Sequence, residues 1–439
     1  MGILINILYC CFLLASSPWL LWRRFISHKS RRGWKEKFWG LCPVRQSQNP
    51  CFWLHAVSVG EVVLLKPIID RLRHKHPDAC FAISTSTETG FDLATDRFPD
   101  DLVFFAPFDF TWAVRRVILR IRPTILVLAE LEIWPNLIRE TSQQGIPIVI
   151  FNGRLCEKSH RGYRRLSWLI RPLMQRLTLV LAQTQTYANR FVDIGCDICK
   201  VSVTGNVKFD NAETNKKNPQ TTMLAKLARL SESGFVFVAG STQLQEDLMA
   251  ARAFRQFQNQ VPDSRLILVP RHPERTESLG KKLNQMGFEY TLRSQLTTPF
   301  ESQNSILIVD VIGELKGWWG CADAAYVGGS LDGQRGGQNM LEPCAFGIPV
   351  CFGPHTQNFQ EIVDSLLASG AATVIKNEAM LLSFLHRATC PQWSKSNGRA
   401  GQNVVLSHVG GADRTVHAIS QICHRSVEPL TGKPIRRAG

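Results

Sequence analysis

CFWLHAVSVGEVVLLKPIIDRLRHKHPDACFAIST, residues 51–85, reads as strand, helix, strand. Its two ends, CFWLHAV and ACFAIST, are apolar along their whole length instead of alternating, so the sheet they enter is covered on both faces. Between them, Glu61 to His74 reads as an amphipathic helix. Two strands joined by a helical crossover run parallel.

Outward from this unit the pattern repeats. LVFFAPF, TILVLAE, IPIVIFN, LTLVLAQ and VSVTGNV follow as further buried strands, with helices starting near Thr89, Pro135 and Thr186. DNAETNKKNPQT, residues 210–221, is polar and aperiodic and reads as a linker. The alternation then restarts with FVFVAGS, SRLILVP, YTLRS, SILIVD, AAYVGGS, IPVCFG and AATVIK. The expected class is α/β, with two Rossmann-like doubly wound parallel-sheet domains and a cleft between the carboxyl ends of their strands. The expected segments are residues 25–210 for the first domain, 211–221 for the linker, 222–425 for the second domain and 426–439 for a basic tail.

The first 24 residues differ. Ile3 to Trp22 holds no charge and has about the 20 residues that a bilayer-spanning helix needs. Arg23, Arg24, Lys29, Arg31, Arg32, Lys35 and Lys37 follow at once. A cleaved signal peptide carries its positive charge before the apolar run, so an uncleaved anchor is expected, with the remainder of the chain on the cytoplasmic side.

The 439 residues are 44% hydrophobic and 20% charged, a globular composition, with 51 basic against 36 acidic side chains, a formal charge of +15. Such an excess attracts phosphate, nucleic acid or an anionic bilayer. Much of it lies beside the apolar N-terminus, which favours the bilayer, and no nucleic-acid partner is expected. Thirteen cysteines, scattered and mostly in apolar runs, suit thiols in a reducing compartment. Cys196 and Cys199 form a lone C-x-x-C without a second ligand pair, so no metal is expected.

The candidate chemistry sits at strand ends. Glu61 follows the first strand at the opening of a helix, where the dipole favours an ionised carboxylate fit for a general base. LAELEIWPN places Glu130 and Glu132 at a strand end, where one of the two can face the cleft, and Lys208 in GNVKFD follows another strand, supplying a cation. In the second half, PRHPER presents Arg271 and His272 on a proline-stiffened loop suited to phosphate. IGEL offers the backbone of Ile312, Gly313 and Glu314 to a nucleobase edge. YVGGSLDGQRGGQNMLE, residues 326–342, is a glycine-rich turn into a helix, expected as an anion site, with Asn339, Met340, Leu341 and Glu342 as a polar clamp and Glu342 placed for vicinal hydroxyls.

In this order, HAVSVGE, ELEIWPN, GNVKFD, PRHPER, GEL, GGS, GGQN, LE and GPHTQNF resemble the bacterial 3-deoxy-D-manno-octulosonic acid (Kdo) transferases, from the anchor to about residue 420. The resemblance implies the GT-B glycosyltransferase fold and transfer of Kdo from CMP-Kdo to a lipid A precursor at the cytoplasmic face of the bacterial inner membrane, with inversion, without metal or cofactor. It makes Glu61 the general base and Glu130 and Lys208 transition-state stabilisers. It makes Arg271, His272, Ile312, Gly313, Glu314, Asn339, Met340, Leu341 and Glu342 the CMP site. Where the family commonly shows STH-x-GE, this chain has STQLQE from Ser241 to Glu246, and Gln338 and Met340 stand for His and Pro of GGHNPLE. Two alternatives are a nucleotide-sugar epimerase of the same architecture, which needs no anchor, and a membrane-tethered binder of anionic polymer, whose basic residues form one stripe with aromatics.

Overall fold

The computed structural model of the chain describes residues 2, 5–7, 9–11, 32–231, 233–296 and 306–427. The chain forms two compact units, one of Met1–Asp210 with Val409–Gly439 and the other of Asn211–His408.

The first unit is built on seven strands: β1 (Cys51–His55), β2 (Cys80–Thr85), β3 (Leu102–Phe105), β4 (Ile125–Ala129), β5 (Ile148–Gly153), β6 (Leu179–Ala182) and β7 (Val201–Val203). They pair in the order β3-β2-β1-β4-β5-β6-β7, every pair parallel. The order reverses between β1 and β4, so the loops leaving these two strands part at their carboxyl ends and leave a crevice. β1 and β4 are buried at every position, as their unbroken apolar runs require.

The second unit repeats the plan with β8 (Phe235–Thr242), β9 (Ser264–Pro270), β10 (Tyr290–Leu292), β11 (Ile306–Ile308), β12 (Ala324–Val327), β13 (Val350–Phe352) and β14 (Ala372–Val374). These pair in the order β10-β11-β9-β8-β12-β13-β14, again all parallel, and the reversal falls between β8 and β12.

Two expected boundaries are corrected. The stretch 211–221 is not a bare linker, because Asn218 caps the helix Pro219–Leu227 by accepting from the Thr221 N–H, and Thr221 is buried. The second domain also ends before residue 425. The helix Gly411–Val427 lies in the first unit, where Ala412, Val416, Ile419 and Cys423, one face at helical spacing, join Phe52, Leu65, Ile68 and Ile69 in the core. Asp210 fixes the return by accepting from the Gly410 and Ala412 N–H groups.

The tail from 428 and most of the expected anchor, with Arg23, Arg24, Lys29 and Arg31, lie outside the described residues. Residues 5–7 and 9–11 are helical. The Asn6 amide donates to Thr111 Oγ1 at 2.7 Å, and the Tyr9 hydroxyl donates to Asp109 at 3.0 Å. Among the described residues no helix is long and apolar enough to cross a membrane.

Candidate active site

In the first unit the loops leaving β1 and β4 carry the chemistry. β1 ends at His55, and the helix Val59–Lys75 places Glu61 in its first turn. The Val57 N–H donates to Glu61 Oε2 at 2.8 Å and the Ser58 hydroxyl to Oε1 at 3.1 Å, which orients the carboxylate without neutralising it. Burial raises the affinity of Glu61 for a proton, Glu130 adds repulsion, and Val57, Ser58 and Lys208 oppose the rise. A base lifted in this way sits nearer to working pH.

β4 ends at Ala129, and Glu130 then adopts a left-handed backbone (φ 53°) that a non-glycine residue rarely holds. Its N–H still bonds to the Phe151 carbonyl, so neighbouring β5 sustains the turn. Lys208 Nζ stands 3.2 Å from Glu130 Oε1. That lysine is positioned from below, because Asn152, itself left-handed, accepts the Val207 N–H on its side-chain oxygen.

The strand therefore ends ahead of both carboxylates of ELE, and the turn brings Glu132 into the same cluster. Glu132 accepts from the Trp134 indole at 2.6 Å and lies 3.9 Å from His55 Nε2. Burial, with repulsion from Glu61 and Glu130, pushes its carboxyl up to about 7. His55 is pushed down to about 4 by complete burial, so it stays neutral at neutral pH. Ser84 Oγ accepts the Trp53 indole N–H at 2.8 Å and stands 2.9 Å from His55 Nδ1. The sequence left open which of Glu130 and Glu132 faces the crevice, and it gave His55 no role. The signal was present in the two motifs, but which carboxylates converge depends on the left-handed turn at Glu130.

In the second unit, Arg271 and His272 follow β9. The Arg271 N–H is held by the Thr242 carbonyl, its side chain is exposed, and His272 Nδ1 lies 3.2 Å from Glu274. Asn339 donates to Glu342 Oε1 at 3.0 Å while its own oxygen accepts the Leu341 N–H, so the clamp is prearranged. Burial raises the pKa of Glu342, and Asn339, Lys316 and Arg271 counter it. Met340 and Leu341 are buried, which leaves only their backbone for a ligand. Glu314 is bound through both oxygens to Arg293 (2.9 and 2.8 Å) and takes the Trp318 indole. Its side chain is thus committed, while Ile312 is 85% exposed and Gly313 is left-handed.

The glycine run is corrected. Its first N–H groups do not await a ligand's anion, because the N–H groups of Gly329, Ser330 and Leu331 all donate to the carboxylate of Glu246, at 2.7, 3.0 and 3.1 Å. The Tyr326 hydroxyl and the Gln243 N–H donate to it as well, at 3.0 and 2.7 Å. Glu246, on the helix that follows β8, therefore fills the nest formed after β12 and ties the two loops at the reversal of strand order. Gly329 (φ 69°) supplies the left-handed step this needs, and a Cβ on Gly328 would meet the Thr242 backbone at 2.5 Å.

Comparison with known proteins gives consistent results. Residues 31–211 match the family model described as 3-deoxy-D-manno-octulosonic-acid transferase (kdotransferase). A 3-deoxy-D-manno-octulosonic acid transferase from Haemophilus influenzae is 31% identical over 392 residues, 88% of this chain and 89% of the relative. One from Bordetella pertussis is 31% identical over 377 residues, 84% of this chain and 86% of the relative. Among solved structures, UDP-GlcNAc 2-epimerase from Neisseria meningitidis bound to UDP-GlcNAc superposes with a TM-score of 0.56 at 13% identity, covering 86% of this chain and 100% of that one. Anabaena HepE in complex with UDP and glucose gives 0.52 at 13%, covering 84% and 99%. At such identity these two show the fold alone, which is GT-B-like.

Proposed function

This chain belongs to the 3-deoxy-D-manno-octulosonic acid transferase family, and from that premise we propose that it moves Kdo from CMP-Kdo to a hydroxyl of a lipid A precursor, with inversion at the anomeric carbon. The protein is a Kdo transferase, a glycosyltransferase of lipopolysaccharide core synthesis. Donor, acceptor and stereochemistry are the proposal.

Glu61 takes the proton of the acceptor hydroxyl as its oxygen forms the bond to the anomeric carbon. The bond from that carbon to the CMP phosphate oxygen breaks on the opposite face, and its electron pair leaves with CMP. Positive charge develops on the sugar ring in passing, and Glu130, held by Lys208, stabilises it. CMP departs as a phosphate monoester anion and needs little acid assistance. In the second unit Arg271 and His272 hold the phosphate, Glu342 the ribose hydroxyls, and the backbone of Ile312 to Glu314 the base. No metal or cofactor is assigned.

The observation that carries this reading is the convergence of Glu61, Glu130 and Lys208 at the β1/β4 reversal: a carboxylate of raised proton affinity beside an ion pair. The apolar run Ile3 to Trp22 and the basic residues after it support a place at the cytoplasmic face of the inner membrane. The exposed rings of Trp34 and Trp39 suit an interface as well.

Incubating the full-length protein with CMP-Kdo and a lipid A precursor, then weighing the product, tests donor and acceptor together. Glu61→Gln should keep CMP binding and lose transfer by about 10²–10⁴-fold, the range for a general base. Near-normal turnover in that variant would remove the base assignment.

A further inference from the structure

A cavity of about 200 Å³ opens in the first unit on the outer side of the acidic cluster. Trp53, Trp134, Ala106, Pro107, Phe108 and Leu137 form its walls, and most of its surface is apolar. It adjoins the base directly: Val57 lines it and donates to Glu61 at 2.8 Å, and Trp134 lines it and donates to Glu132 at 2.6 Å.

One cation enters this apolar space. Lys37, only 8% exposed, donates to the Ser86 carbonyl at 2.8 Å and lies over the Phe105 ring at 4.7 Å. An ammonium has three N–H groups, so one carbonyl and one ring face leave a donor for a ligand. Several other polar groups on the wall have partners already, while the Ser86 hydroxyl is left for a ligand. Asp109 accepts from Tyr9, Asn136 and Leu137, and His55 is bound to Ser84.

A sugar ring needs hydrogen-bond partners on all sides, and this cavity offers few against a surface that is mostly apolar. Hydrocarbon needs none. At about 30 Å³ for each water-sized group, the space holds roughly seven methylenes.

We propose that this cavity is an acyl-chain subsite for the lipid-borne acceptor, with Lys37 bonded to the carbonyl that joins the chain to its sugar. The inference rests on the proposed acceptor reading and adds to it how the acceptor is chosen. An acyl chain seated here orients the sugar hydroxyl toward Glu61, so recognition extends past the headgroup into the chain. Lys37 is a specificity residue and takes no part in bond making.

The test measures transfer from CMP-Kdo by the full-length protein to two acceptors that share a headgroup, one with its natural chains and one with chains shortened by several methylenes. Wild type should lose affinity by about fourfold for each methylene withdrawn from the cavity. Ala106→Phe fills the space. It should raise KM for the long-chain acceptor at least tenfold, leave KM for the short-chain acceptor and for CMP-Kdo unchanged, and hold kcat within about twofold. Should that variant not fold, the chain-length dependence of wild type decides, and Lys37→Met, which keeps the stem and removes the ammonium, should raise KM for both acceptors by about tenfold, since both carry the carbonyl.

Equal shifts for both acceptors in Ala106→Phe, or a wild type whose affinity does not depend on chain length, would show that the cavity does not read the chain, and the inference fails. No shift with either acceptor overturns it as well. Wild type that transfers to neither acceptor overturns the acceptor assignment itself, which keeps the two failures distinct.

Discussion

Glu246→Gln should destabilise the second unit more than any other single exchange of comparable size. The carboxylate is 2% exposed and accepts five hydrogen bonds, two on Oε2 (Gln243 and Gly329 N–H) and three on Oε1 (Tyr326 hydroxyl, Ser330 and Leu331 N–H). An amide has one oxygen and one donating nitrogen. In its cheaper orientation the nitrogen replaces Oε2 and faces two backbone N–H groups. Each buried donor left without an acceptor costs about 1–3 kcal/mol. The three bonds that survive also lose their charge assistance. A total near 4 kcal/mol follows, or roughly a 10 °C fall in Tm for a unit of this size. Tyr326→Phe removes one of the five bonds and should cost about 1 kcal/mol. Scanning calorimetry of the full-length variants, which resolves the two units if they melt separately, gives the comparison. If Glu246→Gln costs no more than Tyr326→Phe, the carboxylate is not what holds the glycine run, and the account of the nest is wrong. The donor KM should rise in Glu246→Gln, because Asn339 and Glu342 follow from the same loop.

Three further outcomes are expected. Glu61→Gln should lower transfer by about 10²–10⁴-fold while CMP binding, read by calorimetric titration, persists. Glu130→Gly relieves a left-handed backbone that costs a non-glycine residue on the order of 1 kcal/mol, so its Tm should hold or rise while kcat falls by about 10²-fold or more. His55 is pushed from 6.5 down to about 4 when folded, so the unfolded chain binds more protons between those values and stability is lost as pH falls through that window. Denaturant melts at stepped pH should show about 3 kcal/mol of acid sensitivity from this residue, and His55→Asn should be flatter over the same range.

Much of the architecture was legible because both sheets are buried. Strands such as ILVLA and FVFVAG carry apolar residues at every position, and no amphipathic helix imitates that pattern. The reversal of strand order then explains why Glu61 and Glu130, far apart in sequence, share a crevice. What remained hidden depends on partners distant in sequence. Glu246 lies 83 positions before Gly329, so a glycine run that suits an external anion gave no sign that an internal one occupies it. Glu132 joins the acidic cluster only because Glu130 turns left-handed, which no propensity favours for glutamate. The polar stretch before Pro219 looked like a linker because its asparagine signals a turn and a helix cap alike.

The chain leaves its first unit at Asp210 and comes back only at Val409. On the ribosome, the strip formed by Leu65, Ile68 and Ile69 emerges early, yet Val416 and Ile419, which cover it, are among the last residues made. At about 5–20 residues per second, roughly ten to forty seconds pass between the exit point and the return. Throughout that interval the nascent first unit carries an open apolar seam while the inserted unit can already fold. A premature stop near residue 408 should therefore spare the second unit and cripple the first, which precedes it in the gene.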